Sequence, residues 1–540
     1  MADVMGYGMK HRLMRRILAG AALLYCAGSG QAMTFEWDSG LSMDLDTSLT
    51  YGAQWRVEDP QNSLLRRPDP AWGLAEKLAF LSDTDTVIAQ NMDDGNNNFD
   101  TGLVSSRMSV LSDLELNYGD FGVLVRAKAF YDQVYQDRHT DMDAIGYQTY
   151  NDRPDTRIGD FPAATEDDHG SDLAILDAYV YGSFDIGERL LDLRLGRQVI
   201  NWGEATFFPG INGMQNRFDA GAANVPGTEV KEILLPTGAV YGQIDISSSL
   251  TLQSYYQYEW KRTRLNGVGS FFSQQDYMGV GAESYYLGAL DLVGLDPFVP
   301  RLATDDASDQ GQWGSALRLS LESGAEIGFY YVRAHNKSPA FELTRIAFAG
   351  QELPVSYRIH YVEDIDTYGL SFSTLLGDMQ VNGELSLRQG VPMADQAGDP
   401  REDDLLQAQI GFTAVFEPSA LWDDLTIVGE VVGVQDQGRS NDEVRYDSAA
   451  WGYALRADFA YKNVIQAVDL NVPVFLMHTA HGTVRESNMV DDAVVLSVGL
   501  RGTYLDTLMA ELSYATYFGG GFDNWGIDRD NVALTLKYSF

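Results

Sequence analysis

The last ten residues of the chain, NVALTLKYSF (531–540), alternate between apolar side chains and polar or small ones. In an extended strand, Val532, Leu534 and Leu536 lie on one face, and Lys537 lies on the other. Two architectures produce this pattern. One is a soluble β-sandwich with its apolar faces turned inward, and the other is a membrane β-barrel with its apolar face turned outward to lipid.

The positions of the aromatic residues favour the barrel. Alternation like that of 531–540 recurs along the chain, for example in 113–118, 123–132, 317–322 and 494–501. Aromatic side chains stand at the ends of these apolar faces, as the interfacial girdles of membrane barrels require, whereas in a sandwich they would cluster centrally. They are Tyr118, Phe121, Tyr131, Trp313, Tyr504, Tyr538 and Phe540.

The spacing of the strand-like segments predicts the size of the barrel. About nineteen such segments follow residue 41, joined in alternation by short turns and long loops. The alternation breaks once, near residue 363, and treating 353–376 as one long strand restores it. We therefore predict an all-β, transmembrane antiparallel barrel of about 18 strands, with short turns and both termini in the periplasm.

Long extracellular loops are expected to fill part of the lumen. The long connections are 57–101, 136–172, 201–232, 263–311 and 336–352. Two contain apolar stretches, WGLAEKLAFL from Trp72 and MGVGAESYYLGALDLVGLDPFV from Met278, which do not rest as free loops in water. They form either a plug in the barrel mouth or a packed cap with no ligand role.

The N-terminus has the pattern of a secretory signal peptide. Basic residues at 10, 12, 15 and 16 precede an apolar run at 17–27 and a small-x-small site at 30–32. The apolar run is about half the roughly 20 residues that a membrane-spanning helix needs. We predict a signal peptide over 1–32, which contains the single Cys, and an outer-membrane barrel over 33–540 in the cell outer membrane of a Gram-negative bacterium.

Charge excludes one class of function. The chain has 77 acidic and 38 basic residues, a net charge of −39, and removing residues 1–32 takes away four basic residues and one acidic residue to give −42. Such a chain repels nucleic acid, so we expect no nucleic-acid partner.

Catalytic motifs are missing from the sequence. It has no Gly-rich phosphate loop, no GxSxG and no HExxH. His478 and His481 are three residues apart on a predicted strand, which places them on opposite faces. We predict that the protein is not an enzyme and that it needs no cofactor.

One loop segment offers oxygen ligands for a cation. Asp94, Asn96, Asn98 and Asp100 alternate in DGNNNFD, a spacing that offers several oxygens to Ca²⁺. The segment lacks the glycine that an EF-hand loop has at its sixth position, where Phe99 stands here, and it lacks the distal glutamate. Calcium in the extracellular loops and a simple solvated acidic loop are both compatible with it.

Inward-facing charges of the predicted strands are mixed in sign. A strongly selective ion pore would show one sign in a ring, whereas mixed pairs hold a plug, brace the wall or set up a transverse field in a porin constriction. The inward charges are Asp113, Glu115, Arg126, Lys128, Asp192, Arg194, Arg318, Glu322 and Lys537. Among them, Glu115, Arg126, Lys128 and Arg194 are candidate pore residues.

Several stretches resemble a known family of outer-membrane proteins. They are YGAQWRVED from Tyr51, DGNNNFDTGLVSSR from Asp94, LRLGRQVINWGEATFFPGINGMQNRFD from Leu193, PGTEVKEILLP from Pro226 and YYQYEWKRTRLNGVGSFFSQQD from Tyr255. They resemble the proteobacterial barrels of domain-of-unknown-function family 1302, and GRQVINWGE is the most specific match. The resemblance implies genes beside RND-type lipid exporters and a periplasmic companion protein, and hence a route for hydrophobic molecules.

The residues of this signature have a physical interpretation of their own. Arg197, a further candidate pore residue, stands near the top of a strand, and Trp202 and Glu204 follow as the chain leaves it. We expect Glu204 to pair with a lumenal arginine and hold loop 201–232 across the pore, with Phe207 and Phe208 at the constriction. The alternative is that Trp202 and both phenylalanines belong to the aromatic girdle.

Three functions fit the sequence. The first is a channel or transporter that passes or hands over a hydrophobic or amphipathic, lipid-like molecule, as partner of an RND-type exporter and a periplasmic companion. The second is a general or cation-preferring porin, in which the negative charge enriches cations at the mouth. The third is a structural or adhesive surface barrel. In each, outer-membrane lipid and lipopolysaccharide surround the protein.

Overall fold

Eighteen antiparallel strands form the wall of the protein in a computed structural model, which describes residues 33–65, 69, 71–136, 161–348 and 351–540. The expected signal peptide, 1–32, lies outside these residues. The wall strands are β1 Leu41–Arg56, β2 Gly102–Tyr118, β3 Phe121–Asp132, β4 Ser171–Ile186, β5 Arg189–Gln198, β6 Thr237–Ser247, β7 Leu250–Gln257, β8 Gln312–Ser320, β9 Glu326–Ala334, β10 Ile365–Leu376, β11 Met379–Ala394, β12 Pro400–Phe416, β13 Asp424–Asp436, β14 Ala449–Ile465, β15 Val468–His481, β16 Val494–Tyr504, β17 Leu508–Phe518 and β18 Asn531–Ser539.

The barrel closes between its first and last strands. β1 pairs with β2 on one side and with β18 on the other, where Leu49 lies opposite Tyr538. A short strand, Met33–Glu36, pairs with the part of β1 that extends beyond the end of β18. Each wall strand therefore has a neighbour on both sides, which removes the exposed edges of an open sheet. The predicted antiparallel barrel of about 18 strands is confirmed.

Apolar side chains cover the outside of the wall. Leu500 and Leu536 are 51% and 42% exposed, whereas the inward Gln54 and Thr535 are buried. Outward aromatic residues form one row toward the long-loop end, at Tyr256, Trp313, Tyr331 and Tyr368, and another at the short-turn end, at Tyr118, Phe121 and Phe184. An apolar band between two aromatic girdles is the surface of an outer-membrane barrel, and the protein is an outer-membrane protein.

One predicted strand is wrong. The segment 353–363 does not continue into β10; residues Gln351–His360 pair instead with Ala340–Phe348 in a hairpin separate from the wall. The chain turns between this hairpin and β10 at Asp364, whose φ is 60°. The strand number is unaffected because neither strand of the hairpin joins the barrel.

The long loops fold into a packed layer at one end of the barrel. The apolar stretches around Trp72 and Met278 lie in this layer, and Met278 is buried beside Trp260 and Tyr357. A second cluster joins three different loops through Phe99, Phe161 and other residues. Among the residues that the structure describes, no helix is long and apolar enough to cross a membrane.

The remaining elements are short. The helices are Asn62–Leu65, Leu74–Leu81, Thr84–Gln90, Asp94–Asn98, Gln133–Gln136, Ala163–Gly170, Ala220–Ala223, Val230–Ile233 and Gly288–Leu292, with 3₁₀ turns at Ile211–Gly213, Arg485–Ser487 and Gly521–Asp523. Two further small hairpins pair Arg217–Phe218 with Leu234–Leu235 and Ser284–Tyr286 with Phe298–Pro300.

A candidate constriction in the barrel lumen

The connection between β5 and β6 crosses the inside of the barrel. These two strands are neighbours in the wall, yet residues 199–236 do not turn back directly; we call them the crossing loop. Its far half, 200–216, contacts strands between β7 and β15, and its near half, 217–235, contacts β1, β2, β3 and β18. Because β5 and β13 lie almost opposite each other in the ring, this loop spans the lumen.

Two buried wall carboxylates hold the backbone of the far half. Glu430 of β13 accepts hydrogen bonds from the amides of Thr206 (3.0 Å), Phe207 (2.7 Å) and Phe208 (3.0 Å). Glu384 of β11 accepts from the amides of residues 204 (2.9 Å) and 211 (2.5 Å). Such charge-assisted bonds are stronger than neutral ones. The position of the far half therefore depends on the wall rather than on the loop's own side chains.

Wall amides hold the carbonyl groups of the same segment. Asn382 donates to the carbonyl oxygen of Glu204 at 2.5 Å, and Gln407 donates to that of Pro209 at 3.0 Å. Gln409 donates to the carbonyl oxygen of residue 208 at 3.1 Å. Irregular backbone at membrane depth is tolerated where the protein satisfies its polar groups, and these bonds do so.

The far half brings apolar side chains into a polar lumen. Trp202 is only 4% exposed, and its ring centroid lies 4.9 Å from that of Tyr255, an inward residue of β7. Ile211 is fully buried against Gly369 of β10, where a Cβ would overlap the isoleucine side chain. The partly buried ring of Phe207 lies 5.6 Å from that of Phe475 on β15. These contacts place the FFPGING segment inside the lumen, away from the girdle.

Ion pairs fix the near half to the opposite wall. Lys537 of β18 binds Glu229, and Lys231 reaches Asp113 of β2 at 3.0 Å. The Lys128 ammonium of β3 lies 3.8 Å from Asp219. Charged side chains of both the loop and the wall therefore determine where this half lies.

Most of the predicted inward charges have partners inside the lumen, although within the predicted set only Arg126 and Asp113 pair with each other. Arg126 binds Asp113 at 2.7 Å and Asp177 at 2.8 Å. Glu115 accepts a hydrogen bond from Tyr181, and the Arg194 guanidinium lies 4.2 Å from the ring centroid of Tyr241. Mixed charges of this kind brace the wall and the crossing loop.

The Glu204 side chain also meets an inward arginine. It lies 3.7 Å from Arg318 of β8, which binds Glu326 more closely. Glu204 thus connects the far half to a third part of the wall. A role in passage for Trp202, Glu204, Phe207 and Phe208 stays a prediction.

The lumenal prediction for Arg197 needs correction. Arg197 lies on the outward row of β5 with Leu193 and Leu195, donates to the carbonyl of Ile175 at 3.3 Å and lies 3.6 Å from Glu259. Side chains alternate along a strand, so Arg194 and Arg197, three residues apart, face opposite sides. Arg197 is a rim residue.

The proposed cation ligands do not lie on an extended segment. Residues Asp94–Asn98 form a buried helix, which turns Asn96 away from the face shared by Asp94 and Asn98, and Asp100 is exposed. Asn96 accepts hydrogen bonds from Arg56 and Arg529, so its oxygen is engaged by protein cations. The alternation in sequence therefore does not place these oxygens on one face of the segment, and calcium binding by them stays a prediction. Calcium binding elsewhere in the loops stays a prediction.

A different acidic group lies nearby in the fold. Carboxylate oxygens of Asp93, Asp94 and Asp276 approach within 4.8 Å of one another. The amide of Asp94 donates to Asp276 at 3.2 Å, so these groups join two loops.

Sequence reasoning missed the residues that hold the crossing loop. Glu384 and Glu430 are carboxylates whose neighbours on either side in the inward row are neutral, Asn382 and Ser386 for the first and Val428 and Val432 for the second, and this was the available signal. It also missed Lys337, whose buried ammonium donates to the carbonyl of Met214 at 2.7 Å at the end of the far half. Burial lowers the pKa of Lys337 to about 7.

Comparisons with solved structures show similar barrels at low identity. Acinetobacter baumannii OccAB3 is 10% identical, the match covers 92% of this chain and 99% of OccAB3, and the TM-score is 0.43. OccAB1 from the same organism is 9% identical, with coverages of 95% and 98% and a TM-score of 0.45. The outer membrane protein opdK of Pseudomonas aeruginosa is 10% identical, with coverages of 92% and 98% and a TM-score of 0.40. The fold assignment rests on this chain's own strand pairing.

The family comparison gives a direct result. No curated protein matches the chain. A family model described as "Protein of unknown function (DUF1302)" matches residues 13–540, almost the whole sequence, as the resemblance implied. This outer-membrane barrel belongs to the DUF1302 family.

Proposed function

We propose that the protein is an outer-membrane channel that passes or hands over a hydrophobic or amphipathic, lipid-like molecule, with the crossing loop as its constriction. The observation that carries the proposal is the pair of rings at Phe207 and Phe475, 5.6 Å apart inside a lumen lined mainly by polar groups. An acyl chain that reaches the two rings buries apolar surface against them.

The surroundings of the two rings support this cargo. Met477, another partly buried residue of β15, packs against the same cluster, which continues into the buried Val432 and Ala454 of the neighbouring strands. Polar anchors lie beside it, where Glu430, two residues from Val432 in the same strand, binds the loop backbone. A molecule passing here meets an apolar surface with polar groups beside it, which suits an amphipathic molecule.

Partners remain proposals that rest on the family resemblance. We infer that an RND-type exporter and a periplasmic companion protein deliver or receive the cargo at the short-turn end. Outer-membrane lipid and lipopolysaccharide surround the apolar band. The net charge of −39 favours the second candidate, a cation-preferring porin, because a negative mouth enriches cations.

Mass spectrometry of lipids that co-purify with the protein tests the cargo. We expect lipids or hydrocarbons bound to the wild-type barrel after extensive detergent exchange, and a clear loss of them in Phe207→Ala/Phe475→Ala. The matched control is Phe329→Ala/Phe372→Ala, which removes two outward rings that are 50% and 40% exposed. This control should lose annular lipid but keep the lumenal ligand.

The result that contradicts the proposal is equally clear. Wild-type protein that carries no such ligand and conducts ions freely in planar bilayers is a porin. A ligand retained equally by both double variants binds elsewhere than at the two lumenal rings.

A further inference from the structure

A cluster of basic side chains stands at the outer rim of this acidic protein. Arg197, Arg217, Lys261 and Arg262 lie at the long-loop ends of β5 to β7 and in the loops that follow these strands. The chain as a whole carries −39, so a local excess of positive charge requires an explanation. We call these four residues the rim patch.

The carboxylates around the rim patch do not neutralise it. Glu259 is shared between Arg197, at 3.6 Å, and Lys261, at 2.5 Å. Asp306 binds Arg262 at 2.9 Å. With Arg217 included, four cations therefore meet two carboxylates.

Arg217 has the least compensation within the patch. Its Nε is buried without a hydrogen-bond partner among the described residues, and its terminal nitrogen reaches only the carbonyl of Arg262, at 3.5 Å. Burial, together with the nearby charges of Arg197 and Arg264, lowers the pKa of Arg217 to about 10. By contrast, Arg264 binds three carboxylates, at 2.5, 3.2 and 3.3 Å.

Along the membrane normal, the rim patch lies at the level of the membrane surface. Across the wall, Arg197 lies in one row with Gly238 and Tyr258, and Tyr258 is 44% exposed. Tyr256 and Trp313, which are 42% and 41% exposed, lie two residues closer to the membrane centre. Outward Tyr and Trp mark the interface between hydrocarbon and headgroups, so Arg197 stands at headgroup level.

We propose that the rim patch binds a phosphate group of lipopolysaccharide in the outer leaflet. Guanidinium groups match phosphate oxygens with paired, charge-assisted hydrogen bonds, and basic pockets beside membrane spans bind anionic headgroups. Acyl chains of the same lipid lie below, along the outward Leu193 and Leu195. The long-loop end of the barrel faces this leaflet.

Thermal unfolding of the full barrel in detergent tests the proposal. The probes are deep-rough lipopolysaccharide, the same lipid after enzymatic removal of its phosphates, and inorganic phosphate alone. We expect saturable stabilisation by the phosphorylated lipid and affinity at least about tenfold weaker in Arg197→Gln/Arg217→Gln/Lys261→Gln. The matched control is Arg333→Gln, an outward rim arginine that already has Asp364 at 3.2 Å and Asp366 at 3.8 Å.

The outcomes separate the sources of the anion. Equal binding by the triple variant, or by the dephosphorylated lipid, overturns the proposal, and so does full stabilisation by inorganic phosphate alone. If the triple variant does not fold, as shown by its heat-modifiable mobility on gels, Arg217→Gln alone provides the same comparison. This inference does not depend on what the lumen transports.

Discussion

The two halves of the crossing loop are held by different chemistry. Backbone amides of the far half donate hydrogen bonds to Glu384 and Glu430, whereas Glu229 and Lys231 of the near half form ion pairs with the wall. Hydrogen bonds from backbone amides to buried carboxylates do not depend on the side chains of the residues that donate them. Ion pairs that are partly open to water are weaker and respond to salt. The path of residues 204–211 is thus set largely by the wall, whereas the packed side chains of Trp202 and Ile211 are themselves constrained by their wall contacts.

Removing one wall carboxylate should destabilise the crossing loop more than any other change considered below. Glu430→Ala leaves the amides of residues 206–208 without their acceptor, and because the bond from Phe208 is buried and the other two are partly buried, we expect a cost of about 2–5 kcal/mol. We expect the far half to detach locally while the barrel stays folded. Hydrogen exchange at these three amides measures this directly, and their protection should fall to that of an open loop.

A lumenal carboxylate that does not touch the loop provides the control. Glu511 of β17 binds Arg501 at 2.8 Å within the wall. Glu511→Ala should leave protection at 206–208 unchanged. If Glu430→Ala also leaves it unchanged, the wall carboxylate does not hold the far half.

The far half should also respond to pH through Lys337. Its pKa in the folded protein is about 7, below the usual 10.5, so between these values the unfolded chain holds a proton that the folded chain lacks. Stability therefore rises with pH in this window, by up to about 1.4 kcal/mol per pH unit. Below about pH 7 this contribution is lost. Urea unfolding from lipid vesicles at several pH values measures the slope.

A variant without the amine isolates this contribution. Lys337→Met should flatten the slope between pH 7 and 10, whereas Lys261→Met, which removes a half-exposed rim lysine, should keep it. A slope that survives in Lys337→Met assigns the pH dependence to another group.

Removing an ion pair of the near half should cause the smallest loss of stability. Lys231→Met and Lys537→Met each remove an ion pair whose side chains are partly exposed, at a cost below about 1 kcal/mol. High salt should reduce the difference between wild type and variants, while it leaves hydrogen exchange at 206–208 unaffected. Equal salt sensitivity of both halves would remove the distinction between them.

The sequence predicts the barrel because its strands repeat the same alternation of apolar and polar side chains. Alternation in 531–540 and aromatic residues at strand ends indicate which side faces lipid. Alternation also shows the limit of this reasoning: Arg197 was assigned to the lumen although Arg194, three residues earlier, faces inward, and an odd offset reverses the side. The hairpin at 340–360 was missed because its strands look like wall strands.

The candidate site was only partly predictable. Trp202, Phe207 and Phe208 were singled out from a loop that the sequence marks as unusual. Their anchors were not, because Glu384 and Glu430 lie about two hundred residues away along the chain and meet the loop only when the barrel closes. No local pattern records such a contact.

Single-channel conductance in planar bilayers tests the central claim most directly, namely that the far half of the crossing loop obstructs the lumen. The comparison is between the wild-type barrel and a variant in which residues 203–213 are replaced by a short Gly-Ser linker. We predict a low conductance for the wild type and a severalfold higher conductance for the variant. A wild-type barrel that already conducts as a wide open pore, with no change when the segment is removed, would contradict the account.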